Sequence, residues 1–78
     1  MSQVVIYSTP TCVYCKAAKE YFTQNKVAYT EHNVAEDEKA LEEMQTKSGQ
    51  FGVPVIDIDG NIIVGFDKSA IAKLLKLS

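Results

Sequence analysis

The chain has 78 residues, 46% of them hydrophobic and 23% charged, and ten acidic against eight basic residues give it a net charge of −2. A chain this short supports one hydrophobic core, so residues 1–78 are expected to form a single domain. The ordinary composition argues against a disordered or disulfide-dense chain, and the interspersed charges argue against a surface for nucleic acid.

The sequence carries no signal for a membrane or for export. Its apolar runs are far shorter than the roughly 20 residues that a membrane span needs. Its first residues, Met1-Ser2-Gln3, lack the charged and apolar regions of a signal peptide. We therefore predict a cytoplasmic protein, in a compartment where a purely structural disulfide is rare.

A strand, a loop and a helix are predicted first. The continuous apolar run Val4–Tyr7 is typical of a strand covered on both faces, and a short loop of turn-forming residues follows it. From about Val13 to Asn25 apolar residues recur at helical spacing, which predicts helix one. The residues expected to face inward are Val13, Ala17, Ala18, Tyr21 and Phe22.

The second strand and helix follow directly. Residues Val27 to His32 alternate in polarity, as a short edge strand does. The acidic stretch Glu36-Asp37-Glu38 suits the positive end of a helix dipole, and Gly49 is a typical helix stop. Helix two is therefore expected between them, with Ala40, Leu41 and Met44 facing inward.

A hairpin and a last helix complete the chain. Val53 to Ile58 and Ile62 to Phe66 are apolar runs separated around Asp59-Gly60, a dipeptide typical of tight hairpin turns. Asp67 is expected to cap helix three, with Ile71, Leu74 and Leu75 inward. The order βαβαββα predicts an α/β fold in which a right-handed crossover makes strands one and two parallel. A four-stranded mixed sheet flanked by three helices results.

Cys12 and Cys15 are the two cysteines of the chain, and they lie where the first loop meets helix one. Unpaired amides and the macrodipole at a helix start stabilise a thiolate. Cysteines in this spacing and position titrate at roughly 3.5 to 7.5 instead of about 8.5. The pattern favours a redox dithiol in which Cys12 attacks a substrate disulfide and the more covered Cys15 resolves the mixed disulfide.

Two other uses of the pair are weaker. A zinc site normally needs four ligands, and beyond the cysteines the chain offers only His32, which we interpret as a solvated residue of the edge strand. No metal site is predicted within one chain, although a metal shared between two copies stays open. A permanent disulfide closing so short a loop would stabilise the fold little.

Three motifs together point to a family. The segments Thr11-Cys12-Val13-Tyr14-Cys15, Val53-Pro54 and Gly65-Phe66-Asp67 occur in the order and spacing of glutaredoxins. Over essentially its whole length the chain resembles this family, in particular its short bacterial members. The resemblance implies a minimal thioredoxin fold and disulfide exchange with glutathione as reductant. It also implies no permanently bound cofactor, disulfide-containing proteins as partners, and a monomer.

The resemblance also assigns roles to particular residues. Val53-Pro54 matches the family's cis-proline step, where Val53 would pair with the backbone of a bound thiol peptide. Gly65, Phe66 and Asp67 match the segment that holds the γ-glutamyl end of glutathione at a helix N-terminus. From their positions beside these segments, we expect Phe51 and Phe66 to flank the substrate groove and to form an apolar contact surface for a protein substrate. Further glutathione or substrate contacts are expected from Thr11, Val13, Tyr14 and Lys16.

The chain departs from the family pattern where glutathione carboxylates are usually held. Thr9 and Gln50 stand where family members often have basic residues, so two positive charges are missing. Three further departures are Val13 for proline, Gly52 for threonine and Val64 for glycine.

Two alternative functions follow. The first is a redoxin recharged by thioredoxin reductase. Residues 48–51 resemble the corresponding segment of such redoxins, although the tryptophan characteristic of them is missing. The second is a dimeric module that holds an iron–sulfur cluster between the Cys12 residues of two subunits.

Overall fold

The computed structural model of the chain describes residues 3–50 and 52–76. In these ranges the order βαβαββα is confirmed. None of the described helices combines the length and hydropathy that a membrane span requires. The elements are β1 (Val4–Ser8), α1 (Val13–Gln24), β2 (Thr30–Asn33), α2 (Glu38–Ser48), β3 (Val55–Ile58), β4 (Asn61–Val64) and α3 (Lys68–Leu75).

The strands form one mixed sheet in the order β2-β1-β3-β4. Strand β1 pairs parallel with β2 and antiparallel with β3, and β3 pairs antiparallel with β4. The hairpin between β3 and β4 turns at Asp59 and Gly60, whose positive φ angles of 52° and 91° suit a tight two-residue turn. The predicted thioredoxin-like sheet and the edge position of β2 are therefore confirmed.

Alternating strand residues divide the core between the two faces of the sheet. Ile6 points toward α1 and α3, and the neighbouring Tyr7 points toward α2. The first face is the larger and joins Val4, Ile6, Ala18, Phe22, Ile56, Ile58, Ile63 and Ile71. The second joins Tyr7, Val34, Ala40, Met44 and Val55. The inward residues predicted for α2 and α3 all belong to or pack against these clusters.

The inward face of α1 differs from its prediction at the first turn. Val13 is 76% exposed, whereas Cys15 is fully buried with Ala18 and Phe22. Helical spacing predicts which residues share a face of α1, but the packing of α1 on the sheet decides which face is buried. In this orientation Cys15 is covered and Val13 faces solvent.

Three strands are shorter than predicted: β3 begins at Val55 and not at Val53, and in β2 and β4 the backbone leaves the sheet. After α1 the chain turns through Lys26 at φ 56°, and the Val27 amide donates to the Phe22 carbonyl at 2.8 Å, so β2 begins only at Thr30. Strand β4 ends at Val64 because Gly65 takes a φ of 84°, a conformation that favours glycine. Gly65 and Phe66 thus lie beyond the sheet.

Tyr7 is fully buried under α2, and its hydroxyl joins a polar network. It donates to Glu43 at 2.7 Å and accepts from the Lys47 ammonium at 2.9 Å, and Lys47 also donates to Asp57 at 2.8 Å. The hydrogen bond to Asp57 raises the pKa of Lys47. His32 stacks on the Tyr7 ring at 5.4 Å and is half-buried on the edge strand, so it is only partly solvated.

Candidate active site

Three segments of the sequence meet at one end of the sheet. Strand β1 runs into the loop before Cys12, and its residue Tyr7 pairs with Val55, which follows Val53-Pro54 directly. Val55 also pairs with Val64, and the Gly65 amide donates to the Pro54 carbonyl at 2.8 Å. The cysteine loop, the proline step and the segment 65–67 are therefore neighbours, although up to 55 positions separate them along the chain.

Cys12 is the N-cap residue of α1 and carries the extended backbone typical of that position. The Cys15 amide donates to the Cys12 sulfur at 3.1 Å, so the sulfur takes the place that a serine or aspartate oxygen takes in an ordinary cap. The two cysteines are joined in a disulfide, with their Cα atoms 5.2 Å apart. Once the disulfide is reduced, the same amide and the helix dipole favour the Cys12 thiolate.

The two sulfurs differ in access. Cys12 is partly exposed, whereas Cys15 is fully buried against the sheet. This difference agrees with the expectation that Cys15 is the more covered cysteine. Cys12 is therefore the more accessible of the two cysteines to an external disulfide.

The other residues predicted around the cysteines point outward. Thr11 and Lys16 are exposed, and Val13 and Tyr14 are 76% and 68% exposed. The Tyr14 ring is too exposed to be packed on the cysteine loop. These four side chains therefore form the outer rim of the site around Cys12.

The step before β3 offers an open backbone. The Val53–Pro54 peptide bond is cis, as predicted from the family resemblance. Among the backbone hydrogen bonds of residues 3–50 and 52–76 none involves Val53, which is half-buried, while Pro54 is buried. The N–H and C=O of Val53 are therefore available to an extended chain lying beside Cys12.

Residues 65–67 lead into the N-terminus of α3. Asp67 is the N-cap of that helix, and its Oδ1 accepts from the Ala70 amide at 3.1 Å, so the predicted cap is confirmed. Phe66 is half-buried and meets the Tyr21 ring edge-on at 5.9 Å. The N-termini of α1 and α3 thus both lie at this end of the sheet. Phe51, the other predicted contact residue, lies outside the described residues.

Gln50 is bound within its own loop. Its Nε2 donates to the Gly52 carbonyl at 3.0 Å and to the Ser48 hydroxyl at 3.3 Å, and its Oε1 accepts from the Gly52 amide. A Cβ added at Gly52 would lie 2.6 Å from that same Oε1. Two departures from the family pattern, Gln50 and Gly52, are therefore coupled, and the side chain of Gln50 is not presented to a ligand.

The sequence reasoning missed a polar cluster behind the cysteine loop. The buried Ser8 hydroxyl donates to Glu31 at 2.7 Å, and the Lys19 ammonium donates to the same Glu31 oxygen at 2.8 Å. The hydrogen bond from Lys19, and then that from Ser8, lowers the pKa of Glu31. Lys19 lies one helical turn after Cys15, so the cluster braces α1 against β2 beside the site. A local sequence pattern cannot predict these contacts, because Lys19 and Ser8 lie 12 and 23 positions from Glu31.

We predict a pH-dependent contribution of Glu31 to stability. A lowered pKa in the folded state stabilises the fold above the ordinary glutamate value of about 4.3, and the stabilisation disappears as the pH falls through the lowered value. Glu31→Gln should reduce the free energy of unfolding at pH 7 by less than about 1 kcal/mol, because the Glu31 side chain is 38% exposed. Urea unfolding at pH 7 and pH 3 measures this, and the difference should be smaller at pH 3.

Lys19→Gln is the matched variant, because it removes the same ion pair from the other side. It should give a similar loss at pH 7, and the double variant should lose little more than either single variant. A difference between wild type and Glu31→Gln that is unchanged at pH 3 would contradict the proposed ion pair.

The alternative of a metal site has no set of ligands among the described residues. No three His, Cys, Asp or Glu residues there are arranged to hold a metal ion. His32 stacks on Tyr7, on the face of the sheet that α2 covers, whereas Cys15 lies in α1 on the other face. The structure does not bring His32 to the cysteines.

The family model described as Glutaredoxin matches residues 4–63. An uncharacterized glutaredoxin-like 8.6 kDa protein in the rubredoxin operon of Clostridium pasteurianum is 55% identical over 73 residues, covering 94% of this chain and 97% of that protein. The glutaredoxin-like protein NrdH of Lactococcus lactis subsp. cremoris is 32% identical over 71 residues, covering 91% and 97%.

A solved structure resembles the whole fold. The crystal structure of a mutant of the thioredoxin-like protein BC3987 superposes with a TM-score of 0.93 at 29% identity, over 100% of both chains. The arrangement of strands and helices described above is therefore also found in an experimental structure of a thioredoxin-like protein.

Proposed function

The chain belongs to the glutaredoxin family of thiol–disulfide oxidoreductases, and we propose that it reduces protein disulfides with Cys12 as the nucleophile and Cys15 as the resolving thiol. The observation that carries the proposal is the position of Cys12 as N-cap, where the Cys15 amide donates to its sulfur. That position activates the sulfur of the partly exposed Cys12, whereas Cys15 is buried and does not occupy the cap.

The reaction balances as two thiol exchanges. The Cys12 thiolate attacks one sulfur of the substrate disulfide, and the other substrate sulfur leaves as a thiolate and takes up a proton. Cys15 then loses its proton and attacks the Cys12 sulfur, which releases the second substrate thiol and forms the Cys12–Cys15 disulfide. Two electrons pass from the dithiol to the substrate, and the structure corresponds to the oxidised product.

The substrate chain would lie along Val53. Its N–H and C=O, which are not hydrogen-bonded to any described backbone group, can pair with an extended peptide, as at the edge of a sheet. Such pairing holds the attacked sulfur in line with Cys12, because the cysteine loop lies beside the Val53-Pro54 step. The exposed Val13 and Tyr14 supply apolar contact on the outer side.

Glutathione is one candidate electron donor, and residues Gly65 to Asp67 would hold it. The Asp67 Oδ1 is used by the cap, but Oδ2 has no hydrogen bond among the described residues and can accept from the ligand's ammonium. Phe66 would supply apolar contact, and the exposed Thr11 and Lys16 lie on the opposite rim.

A protein reductase is the second candidate donor, and one observation favours it. The side chain of Gln50 is bound to Ser48 and Gly52, and Thr9 carries no charge, so two usual partners of the glutathione carboxylates are missing. A protein donor such as thioredoxin reductase binds through a wider surface and does not depend on these contacts. We infer that it supplies most of the electrons.

We expect the oxidised protein to regain its thiols at least about ten-fold faster with NADPH and thioredoxin reductase than with millimolar glutathione and glutathione reductase. Each missing charged contact weakens ligand binding by about 1 kcal/mol. The return of free thiols, followed by alkylation and mass spectrometry, measures both rates.

Gln50→Lys tests whether the missing positive charge at position 50 explains the slow recharging by glutathione. It restores one charge and should raise the glutathione rate several-fold without changing the reductase rate. Faster recharging by glutathione in the wild type would refute the reductase as main donor. The iron–sulfur alternative is tested separately, because a bound cluster would give visible absorption after anaerobic purification.

A further inference from the structure

A groove between α1 and α3 adjoins the active site but takes no part in the disulfide exchange. Its volume is about 630 Å³, and we call it the α1/α3 groove. It is lined by Tyr21, Lys68, Ser69, Ala72 and Lys73. The floor is thus aromatic and aliphatic, and the rim carries two ammonium groups.

The two lysines of the α1/α3 groove form no salt bridge with any described residue. Within residues 3–50 and 52–76, only Lys19 and Lys47 form ion pairs with a carboxylate. The Lys68 ammonium instead stands over the Tyr21 ring, 5.3 Å from its centroid, and the described lining includes no carboxylate. Lys68 is also the first residue of α3, where the positive end of the helix dipole adds to its charge.

The groove is continuous with the substrate side of the active site. Lys68 follows Asp67 directly, and Tyr21 in the groove meets Phe66 edge-on at 5.9 Å. Gly65 in turn is hydrogen-bonded to Pro54. A chain that pairs with Val53 and passes over Phe66 therefore enters the groove.

The charge of the groove is opposite to that of the molecule as a whole. The net charge is −2, and α2 on the far face of the sheet exposes Glu38, Glu42 and Glu43 against Lys39 and Lys47, with Glu43 and Lys47 forming an ion pair. An acidic partner is therefore attracted to the α1/α3 groove more strongly than to the α2 face. This distribution orients such a partner with its acidic part in the groove and its disulfide near Cys12.

We propose that the α1/α3 groove binds an acidic segment flanking the target disulfide of a protein substrate. The proposal rests on the proposed function, and it names the kind of substrate that the site prefers. The lysines contact the acidic side chains, while Tyr21 and Ala72 contact the aliphatic parts of the same segment. Specificity then comes from charge beside the disulfide and not from the reacting sulfurs.

Two synthetic peptides test the preference. Each contains one intramolecular disulfide, and it is flanked on both sides by three Glu in one peptide and by three Gln in the other. The pre-reduced protein should reduce the Glu peptide about five-fold faster at low salt, as two exposed ion pairs allow, and high salt should remove the difference. Chromatography of the peptide thiols under single-turnover conditions measures the rates.

Two double variants, each lacking two positive charges, distinguish an effect of the groove from an effect of the net charge of the protein. Lys68→Gln with Lys73→Gln should abolish the preference, whereas Lys26→Gln with Lys39→Gln, on exposed positions elsewhere, should keep it. Both should reduce a small neutral disulfide at the wild-type rate. An equal loss in both double variants, or an unchanged preference in the first, would overturn the proposal. The proposal would also be overturned if the Lys68→Gln, Lys73→Gln variant lost as much activity toward glutathione disulfide as toward the Glu peptide. The groove would then be a site for small carboxylates.

A binding measurement separates this proposal from the proposed function. A fluorescent Glu peptide with serines in place of its cysteines should bind the wild-type protein, and binding should weaken about five-fold in the Lys68→Gln, Lys73→Gln variant. If the wild type reduces no disulfide but binds this peptide as expected, the proposed function fails and the groove stands. If it reduces disulfides but the peptide binds both proteins equally, the groove fails alone.

Discussion

Replacing Cys12 by serine should abolish disulfide reduction, and replacing Cys15 by serine should instead trap the protein on its substrate. The Cys12→Ser variant lacks the exposed sulfur at the N-cap of α1, and its buried Cys15 has no direct path to a substrate disulfide. We expect a loss of at least about a thousand-fold in the rate, the scale seen when a catalytic nucleophile is removed. Release of thiols from a disulfide peptide measures it.

The Cys15→Ser variant should attack the substrate at nearly the wild-type rate, because the backbone amide at position 15 still donates to the Cys12 sulfur. It cannot resolve the adduct by itself, so one mixed disulfide per protein should accumulate and be visible by mass spectrometry. The double variant is the control and should form no adduct. An adduct on Cys15 in the Cys12→Ser variant, with none in the Cys15→Ser variant, would reverse the two roles.

Truncating Phe22 should remove a large part of the stability of the fold. Phe22 is fully buried, meets Tyr29 at 5.5 Å and belongs to the cluster with Ile6, Ile56 and Ile71. Phe22→Ala deletes a ring that joins α1 to the sheet and to α3, at a cost of about 3–5 kcal/mol. The whole free energy of unfolding of a domain this small is only about 4–12 kcal/mol. Urea and thermal unfolding, the latter with a fall in Tm of about 12 °C or more, measure the effect.

Tyr14→Ala is the matched aromatic truncation, because its ring is 68% exposed on the same helix. It should change the free energy of unfolding by less than about 0.5 kcal/mol. A loss below about 1 kcal/mol for Phe22→Ala would mean that α1 is not held by this core. It would also place Cys15, which the same face of α1 buries, in a looser environment than the proposed resolving step requires.

The active-site end of the molecule depends on that core in a direct way. Helix α1 presents Cys12 at its N-terminus only while Ala18 and Phe22 hold its inner face on the sheet. Helix α3 is held by Ile71 in the same cluster and directs its own N-terminus toward residues 65–67. One hydrophobic cluster thus positions both helix N-termini, so damage to it should reduce activity as well as stability.

Much of the fold follows from interactions between residues close in the chain. Asp67 capping the Ala70 amide, Gly49 ending α2 at a φ of 74° and the Asp59-Gly60 turn each involve at most four consecutive residues. The placement of Cys12 before a helix is of the same kind, because the sulfur accepts from an amide three positions later. Such features can be predicted from sequence, since their energetics are contained in the local pattern.

Errors at the ends of elements have a different cause. Helical spacing predicts that Val13 faces inward, but the packing of α1 on the sheet rotates it into solvent and buries Cys15. Strand β2 starts late because the Val27 amide closes the end of α1 at the Phe22 carbonyl. Periodicity shows that a face exists, whereas only docking decides which residues occupy it.

The sequence by itself determined the cysteine pair at a helix start, the order of the elements and the caps and turns between them, because each depends on neighbours a few positions away. Only the tertiary structure decided which charges meet. Ser8 and Lys19 meet at Glu31, Tyr7 meets Lys47, and Lys68 stands over Tyr21, across separations of 12 to 47 positions. These contacts depend on how the helices lie on the sheet, and that geometry is set by the packing of the whole core and not by any local pattern.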